Sequence, residues 1–247
     1  MPKRDSHTIA VAVFGIAVLV VAFVMLNRVL GAGDALASGF REESAVTVSA
    51  VSAEGKTSTV VRLGVAFANL NRRVLMIDAD LRRPRIHKVF SVDREIGLST
   101  VLTGERTEAE VIHATPVPGL FFMPSGRGGE RPNELLASHE VERLLERLGK
   151  EFDLVIIDTP PSAILSDARI LSRHVDGVVM VVREQSTSRM LVREAVAGLE
   201  QVGARVLGVI VNAVDFGRRR TSYKYYYGYG YRYDKNYYSE RNDAAAK

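Results

Sequence analysis

A lysine and a threonine at the end of a short loop are the residues best suited to bind phosphate. The apolar run 46–51 leads into small residues that end in Gly55, Lys56 and Thr57, and a segment with helical spacing, 58–70, follows. In a strand–loop–helix unit of this kind, backbone N–H groups face an anion, the lysine reaches the outer phosphates, and the threonine hydroxyl can bind Mg²⁺. We therefore predict a nucleotide-phosphate loop with contacts from Ser52, Ala53, Glu54, Gly55, Lys56, Thr57 and Ser58. The pattern is incomplete, because Ala50 stands where such loops usually have glycine.

Three aspartates follow apolar segments that resemble strands. Asp78 and Asp80 come after residues 74–77, and Asp158 comes after residues 154–157. Such carboxylates would supply the hard oxygen ligands that Mg²⁺ prefers. Aspartates are also common turn and cap residues, and this alternative stays open for each one. Beside a phosphate loop they predict a metal site, with Asp78 or Asp80 also able to accept the proton of an attacking hydroxyl. The predicted metal ligands are Thr57, Asp78, Asp80 and Asp158.

Other polar residues near these segments have two interpretations each. Arg82, Arg83 and Arg85 form either a solvated basic turn or a contact for phosphate or an acidic partner. Asn212 ends the last apolar segment, where an amide could contact a nucleotide base or simply form a turn. We include Asn212 among the predicted nucleotide contacts.

Short apolar segments alternate with helical patterns from Val46 onward. Strands that are apolar on both faces are typical of a parallel sheet covered by helices. The alternation predicts a doubly wound α/β fold with ligands at the C-terminal ends of the strands. The predicted strands are 46–51, 74–77, 120–123, 154–157, 177–182 and 206–211. The predicted helices are 58–70, a turn around Val111, 134–148, 167–173 and 190–202.

Residues 8–26 form an apolar run without a charged side chain. As a helix, this run is long enough to cross a bilayer. A signal peptide is the main alternative, since Ala35, Leu36 and Ala37 resemble a cleavage site. The length of the apolar run and the need for ATP favour a single-pass span in the inner or plasma membrane, with the C-terminal side in the cytoplasm. We divide the chain into a transmembrane segment 1–30, a linker 31–45, a P-loop domain 46–216 and a tail 217–247.

All nine tyrosines lie in the tail, which we interpret as flexible. An aromatic low-complexity tract and a surface for single-stranded nucleic acid are two alternatives. Phosphoacceptor hydroxyls are the third and preferred interpretation, because an ATP site is predicted in the same chain. The predicted acceptors are Tyr223, Tyr225, Tyr226, Tyr227, Tyr229, Tyr231, Tyr233, Tyr237 and Tyr238.

Composition excludes several kinds of chemistry and of binding partner. The chain of 247 residues has no cysteine, which excludes disulfides and thiolate chemistry, and its net charge is only +4. Acids nearly balance bases, so we expect no nucleic-acid partner.

From residue 46 to residue 238 the chain resembles the bacterial tyrosine kinases (BY-kinases) of capsule and exopolysaccharide synthesis. SAVSAEGKT resembles their Walker A motif, VLMIDADLRRP their Walker A′, FDLVIIDTPP their Walker B, and PNELLAS a family signature. The resemblance implies an ATP- and Mg²⁺-dependent kinase that phosphorylates the tail tyrosines of its own copies in trans. It assigns phosphate binding to Lys56, metal binding to Thr57 and Asp158, and metal and acceptor roles to Asp78 and Asp80. It also implies homo-oligomers, a membrane polysaccharide co-polymerase or activator as partner, and a protein-tyrosine phosphatase.

The sequence departs from the family in several places. Ser52 stands where proline is common, Ala53 stands where glycine is frequent, and the short linker lacks the Glu/Arg motif associated with ring assembly. A truncated or impaired member is therefore an alternative. A membrane-anchored partition or septum-type ATPase is another, although Val51 replaces that group's signature lysine.

Overall fold

A computed structural model of the protein describes residues 43–49, 53–129, 131–160 and 167–214. Its centre is a seven-stranded sheet in the order β3-β4-β2-β5-β1-β6-β7, in which β3 alone runs antiparallel to its neighbour. The strands are β1 (Glu43–Ser49), β2 (Val74–Asp78), β3 (His113–Ala114), β4 (Leu120–Met123), β5 (Leu154–Asp158), β6 (Gly177–Arg183) and β7 (Val206–Asn212). The predicted mostly parallel α/β sheet is confirmed.

Helices connect the strands. The long ones are α1 (Lys56–Ala68), α6 (His139–Glu151) and α8 (Arg189–Glu200). The short ones are α2 (Ile86–Phe90), α3 (Leu98–Leu102), α4 (Glu108–Val111), α5 (Pro132–Leu136) and α7 (Asp167–Leu171), and a 3₁₀ turn covers Ser172–His174.

Two hydrophobic clusters cover the two faces of the sheet. One joins Leu75, Ile77 and Val155 to apolar residues of α6 such as Leu144. The other joins Met76 and its neighbours to Val60 and Leu63 of α1. All five residues of β2 are buried, which explains why this strand reads as a continuous apolar run rather than an alternating one.

The structure differs from the prediction mainly in small elements. The first strand begins at Glu43 and ends at Ser49, so it takes three residues from the predicted linker. The predicted helix 134–148 is two helices, α5 and α6, because Ser138 has an extended backbone and its hydroxyl donates to the Leu135 carbonyl at 2.8 Å. The sequence reading missed β3, α2 and α3, whose lengths of two to five residues give no clear periodicity.

In the part of the chain that the structure describes, no helix is both long and apolar enough to span a bilayer. The predicted span 8–26, Ser52 and the nine tail tyrosines lie outside the described residues.

Candidate functional site

The predicted phosphate loop leaves β1 and enters α1 at Lys56, with two residues of left-handed backbone. Gly55 has φ +88°, and a β-carbon there would lie 2.0 Å from the Asn212 side-chain nitrogen. Glycine is therefore required at this position by both conformation and space. Ala53 has φ +64°, a conformation that costs an alanine about 1–2 kcal/mol and that explains why glycine suits this position.

Thr187, in the segment between β6 and α8, and Asn212, the last residue of β7, hold the loop from one side. The Asn212 side-chain amide donates to the Glu54 carbonyl at 2.9 Å, and the Thr187 hydroxyl donates to the Glu54 carboxylate. Glu54 is buried, so its side chain faces the protein. Glu54 and Asn212 thus position the loop, which is a more specific role than the nucleotide contact predicted from sequence. The sequence reading missed Thr187, because it lies 133 residues from Glu54 and no local pattern links the two.

The Thr57 hydroxyl and the Asp158 carboxylate meet at the other side of the loop. Thr57 Oγ1 donates to Asp158 Oδ2 at 2.6 Å, across 101 residues of sequence. Asp158 Oδ1 is buried and has no hydrogen-bond partner among the residues that the structure describes. A buried carboxylate oxygen without a partner is costly unless a ligand satisfies it, so this atom points to a bound cation.

The Asp78 carboxylate is fully buried and accepts three backbone N–H groups. Oδ2 accepts from Arg85 and Ile86, both at 2.9 Å, and Oδ1 accepts from Asp80 at 3.3 Å. These bonds shape the turn between β2 and α2. Asp78 therefore organises the turn that presents Asp80, and its own carboxylate does not reach the surface.

Asp80 and Lys56 complete the group. Asp80 is partly exposed, and one of its oxygens, Oδ1, accepts the Arg83 N–H at 2.9 Å. Lys56 is buried, and its charge interacts with those of Asp158, Asp80 and Glu54. Among the two candidates for accepting a proton, the geometry favours Asp80 over Asp78. Ser58 is exposed in the first turn of α1.

Burial dominates the electrostatics of these groups. Desolvation raises the pKa of Asp158 to about 7, with the nearby Asp78 charge adding to it and the Thr57 hydrogen bond opposing it. Desolvation also raises the pKa of Asp78 to about 6, against the backbone hydrogen bonds from Ile86 and Arg85. The pKa of Lys56 is lowered by burial, which the surrounding carboxylates partly offset. The site thus has a surplus of poorly solvated negative charge that a metal ion would relieve.

The residues present fit magnesium. A threonine hydroxyl and a carboxylate oxygen are hard ligands, and Mg²⁺ commonly uses one or two protein groups together with substrate phosphates. In the described residues no set of three or more His, Asp or Glu side chains clusters closely enough to hold a metal. Thr57 and Asp158 would therefore be the protein groups nearest the ion, and the other two predicted ligands, Asp78 and Asp80, stay proposals.

Comparison with known proteins places this site in a family. A model described as an AAA domain matches residues 52–208. The tyrosine-protein kinase YwqD of Bacillus subtilis is 33% identical over 184 residues, which cover 74% of this chain and 77% of YwqD. The kinase domain of the Escherichia coli tyrosine kinase ETK superposes with a TM-score of 0.70 at 34% identity, covering 77% of this chain and 72% of that domain.

The chain belongs to the bacterial tyrosine kinases. Not every relative has the same length: the putative tyrosine-protein kinase EpsB of Ralstonia nicotianae is 35% identical over 178 residues, 69% of this chain but only 24% of EpsB. The chain thus spans about a quarter of that relative. The septum site-determining protein MinD of Pyrococcus horikoshii, complexed with Mg-ADP, has a TM-score of 0.61 at 23% identity and shares the fold alone.

A separate cleft of about 220 Å³ includes Ala137 of the PNELLAS motif but lies apart from the three Walker-like motifs. Arg169, Ile170, Arg173 and His174 line it, together with Ala137 and Val202 at the ends of α5 and α8. None of the predicted site residues contributes to it, so the candidate site is the strand edge around Lys56.

Proposed function

We propose that the chain is an ATP- and Mg²⁺-dependent protein-tyrosine kinase that phosphorylates the tail of another copy. The observation that carries the proposal is the pair formed by Thr57 and Asp158, 2.6 Å apart beside Lys56, in which one Asp158 oxygen has no hydrogen-bond partner within the described part of the chain. A phosphate loop, a metal ligand pair and a partly exposed carboxylate, Asp80, are together the groups that phosphoryl transfer needs.

In the proposed reaction the chain's residues bind, orient and remove a proton. Lys56 and the N–H groups at the start of α1 hold the phosphates of ATP, while Thr57 and Asp158 hold Mg²⁺, which would neutralise phosphate charge when bound. A tyrosine oxygen attacks the γ-phosphorus as the bond to the β,γ-bridging oxygen breaks and ADP leaves. The phenolic proton passes to Asp80, the more accessible of the two aspartates after β2.

The test is tyrosine phosphorylation of the full chain in detergent with ATP and Mg²⁺. We expect phosphotyrosine within residues 223–238 of the wild type and its loss in Lys56→Met. Lys88→Met is the matched control, because Lys88 is an exposed lysine outside the site. Absence of phosphotyrosine at high protein concentration would contradict the proposal, and ATP hydrolysis without labelling would support a septum-type ATPase instead.

Transfer between copies can be tested in the same assay. A Lys56→Met chain with intact tyrosines should become labelled when it is mixed with a wild-type chain of different size. If only the wild-type chain is labelled, the reaction occurs within one copy.

We further propose a single-pass membrane protein with the kinase domain in the cytoplasm, supported by the uncharged run 8–26. Its partners would be a membrane polysaccharide co-polymerase or activator and a protein-tyrosine phosphatase, in capsule or exopolysaccharide synthesis. Retention of the full chain in carbonate-washed membranes, with the tail digestible only in inverted vesicles, is the expected result. A fully protected tail in inverted vesicles would contradict this orientation.

A further inference from the structure

The segment after β2 alternates between the core and the surface. Ala79 and Leu81 are buried, whereas Asp80 is half-buried and Arg82 is exposed. This alternation has the period of two that an extended segment shows, and it turns Asp80 and Arg82 away from the core. Because only one residue separates them, contacts that hold Arg82 also restrict the position of Asp80.

The Arg82 guanidinium is held between two other elements. Its Nη2 donates to Asn133 Oδ1 of α5 at 2.6 Å, and its Nε lies 3.4 Å from Oδ2 of Asp167, the first residue of α7. The Asp167 side chain is only 1% exposed, compared with 37% for Arg82. Of the two interpretations that the sequence left open for this arginine, the structure supports contact with an acidic partner, and that partner is Asp167 of the same chain.

Burial of Asp167 makes its contact with Arg82 difficult to break. The second carboxylate oxygen, Oδ1, is buried, and no donor to it is found in the described portion of the chain. A buried carboxylate without a compensating charge is costly. Asp167 would lose the charge paired with it if the guanidinium moved away, so this carboxylate keeps Arg82 in place.

The PNELLAS signature supplies the second contact of Arg82. Pro132 and Leu136, the first and last residues of α5, are buried and fix this short helix in the core. Asn133 is half-buried, and its side-chain oxygen accepts from Arg82. The signature contributes none of the predicted site residues, but through Asn133 and Arg82 it is connected to the segment that carries Asp80.

The same segment is also held from beneath, by Asp78. The Asp78 carboxylate accepts the N–H of Asp80 at 3.3 Å and that of Arg85 at 2.9 Å, near the two ends of the turn. The buried Asp78 and the guanidinium of Arg82 are therefore two separate anchors for the turn. Asp80, the partly exposed carboxylate of the site, lies between them in the sequence.

We propose that Arg82 is a positioning residue for tyrosine phosphorylation, whose contacts with Asn133 and Asp167 hold Asp80 where it accepts the tyrosine proton. This inference rests on the proposed function, because it requires that Asp80 has that role. A displacement of about 1 Å can slow a reaction by about 100-fold. Other contacts hold the phosphate loop, so loss of Arg82 should lower kcat and leave nucleotide affinity unchanged.

The experiment measures kcat for tail phosphorylation and the Kd of a non-hydrolysable ATP analogue, with Mg²⁺, on the full chain in detergent. Arg82→Ala should lower kcat by about 10–100-fold and change the Kd by less than about 2-fold. Arg82→Lys should recover part of the rate, because lysine keeps a charge beside Asp167 but lacks the planar fork of donors. A loss of affinity as large as the loss of kcat would overturn the proposal.

An arginine with a surface ion pair provides the matched control. Arg143 pairs with Glu140 at 2.7 Å on α6, and both side chains are exposed. Arg143→Ala should leave kcat and Kd at their wild-type values, since neither residue contacts the turn after β2. A loss of kcat in Arg143→Ala equal to that in Arg82→Ala would overturn the proposal.

A double variant separates positioning from stability. Arg82→Ala leaves the buried Asp167 charge unpaired, so its melting temperature should fall. Arg82→Ala/Asp167→Asn removes both charges and should regain most of the melting temperature, while kcat stays low. Recovery of kcat together with the melting temperature would overturn the proposal, because Arg82 would then act through stability alone.

The connection to Asp80 is tested in the Asp80→Asn background. Residues that act as a unit have non-additive effects, so adding Arg82→Ala should reduce the remaining rate by less than about 2-fold. A further loss as large as that in the wild-type background would overturn the proposal. If the wild type forms no phosphotyrosine, the proposed function fails and this inference fails with it. If the wild type is active and Arg82→Ala is equally active, this inference alone is wrong.

Discussion

The phosphate loop lies between two sets of neighbours that differ in how completely their polar groups are satisfied. On the β6–β7 side, Thr187 and Asn212 donate to the side chain and backbone of Glu54. On the β2–β5 side, one Asp158 oxygen has no hydrogen-bond partner in the described ranges, and burial raises the pKa of this carboxyl to about 7. The first set stabilises the loop in the free protein, whereas the second holds a buried carboxylate whose charge a bound cation would compensate.

The largest expected effect comes from Asp158→Asn. The amide keeps the shape of the carboxylate but removes the charge, so we expect Mg²⁺-dependent tail phosphorylation to fall by roughly 100-fold or more. Without magnesium and nucleotide, the same variant should be more stable than wild type at pH 8, because a buried uncompensated charge has been removed. A gain of about 1 kcal/mol would raise the melting temperature by roughly 2–4 °C in a protein of this size.

In Asp158→Asn, tail phosphorylation must fall while the melting temperature rises for this interpretation to hold. If Asp158→Asn loses stability as well as activity, the carboxylate contributes to the fold and the contrast between the two sides is wrong. Asp153→Asn is a suitable control, since Asp153 is an exposed aspartate one residue before β5.

The contacts on the β6–β7 side of the loop can be tested at Thr187. Thr187→Val removes the hydroxyl that donates to the buried Glu54 carboxylate while keeping the size of the side chain. We expect a loss of about 1–3 kcal/mol in unfolding free energy, measured by denaturant or heat, and weaker nucleotide binding as the loop loosens. Thr187→Ser retains the donor and should stay near wild type. Equal losses in both variants would assign the effect to packing of the methyl group.

The fold illustrates which features a sequence can predict. The strand ends at Asp78 and Asp158 were predicted because a continuous apolar run before a carboxylate is a local pattern. Their pairing in register follows from the parallel sheet, which the alternation of strands and helices also predicts. By contrast, α2 begins at Ile86, whose N–H donates to the Asp78 carboxylate. Because this capping residue lies eight residues before the helix, the sequence of the helix itself gives no sign of it.

The site shows the same limit. Thr57, Lys56 and Asp158 were identified as a set because phosphate chemistry requires those residue types at strand ends. Sequence could not distinguish Asp78 from Asp80, because both follow the same strand and only burial separates them. Nor could it predict that Glu54 faces Thr187, since that contact depends on how β6 lies beside β1.

Acid titration offers a graded test of the β2–β5 side. The folded-state pKa values of Asp158, about 7, and Asp78, about 6, lie above the usual 3.8, so the folded protein holds protons that the unfolded chain has released. Stability attributable to these groups is therefore present at lower pH and is lost as pH rises through about 6–7. Without magnesium and nucleotide, the melting temperature should increase by a few degrees when the pH is lowered from 8 to 5.5.

In Asp158→Asn, the part of this pH dependence of the melting temperature that comes from Asp158 should disappear. Saturating Mg²⁺-nucleotide should make the melting temperature fall as the pH is lowered, because the ion binds the ionised carboxylate. A wild-type melting temperature that falls steadily as pH drops from 8 to 5.5 would show that other groups dominate.

The smallest effect concerns the conformation of the loop itself. Ala53 has φ +64°, where alanine is strained by about 1–2 kcal/mol, whereas glycine has no such strain but loses about 0.5–1 kcal/mol more backbone entropy on folding. The difference predicts that Ala53→Gly stabilises the protein by roughly 0.5–1 kcal/mol, measured by denaturant unfolding. Ala197→Gly is the matched control, because Ala197 is exposed within α8 and glycine there should cost about 1 kcal/mol. Because residues after β6 and at the end of β7 already hold the loop, nucleotide affinity should change less than about 2-fold. A larger loss of affinity would mean that the strain of Ala53 in the free loop is released on binding.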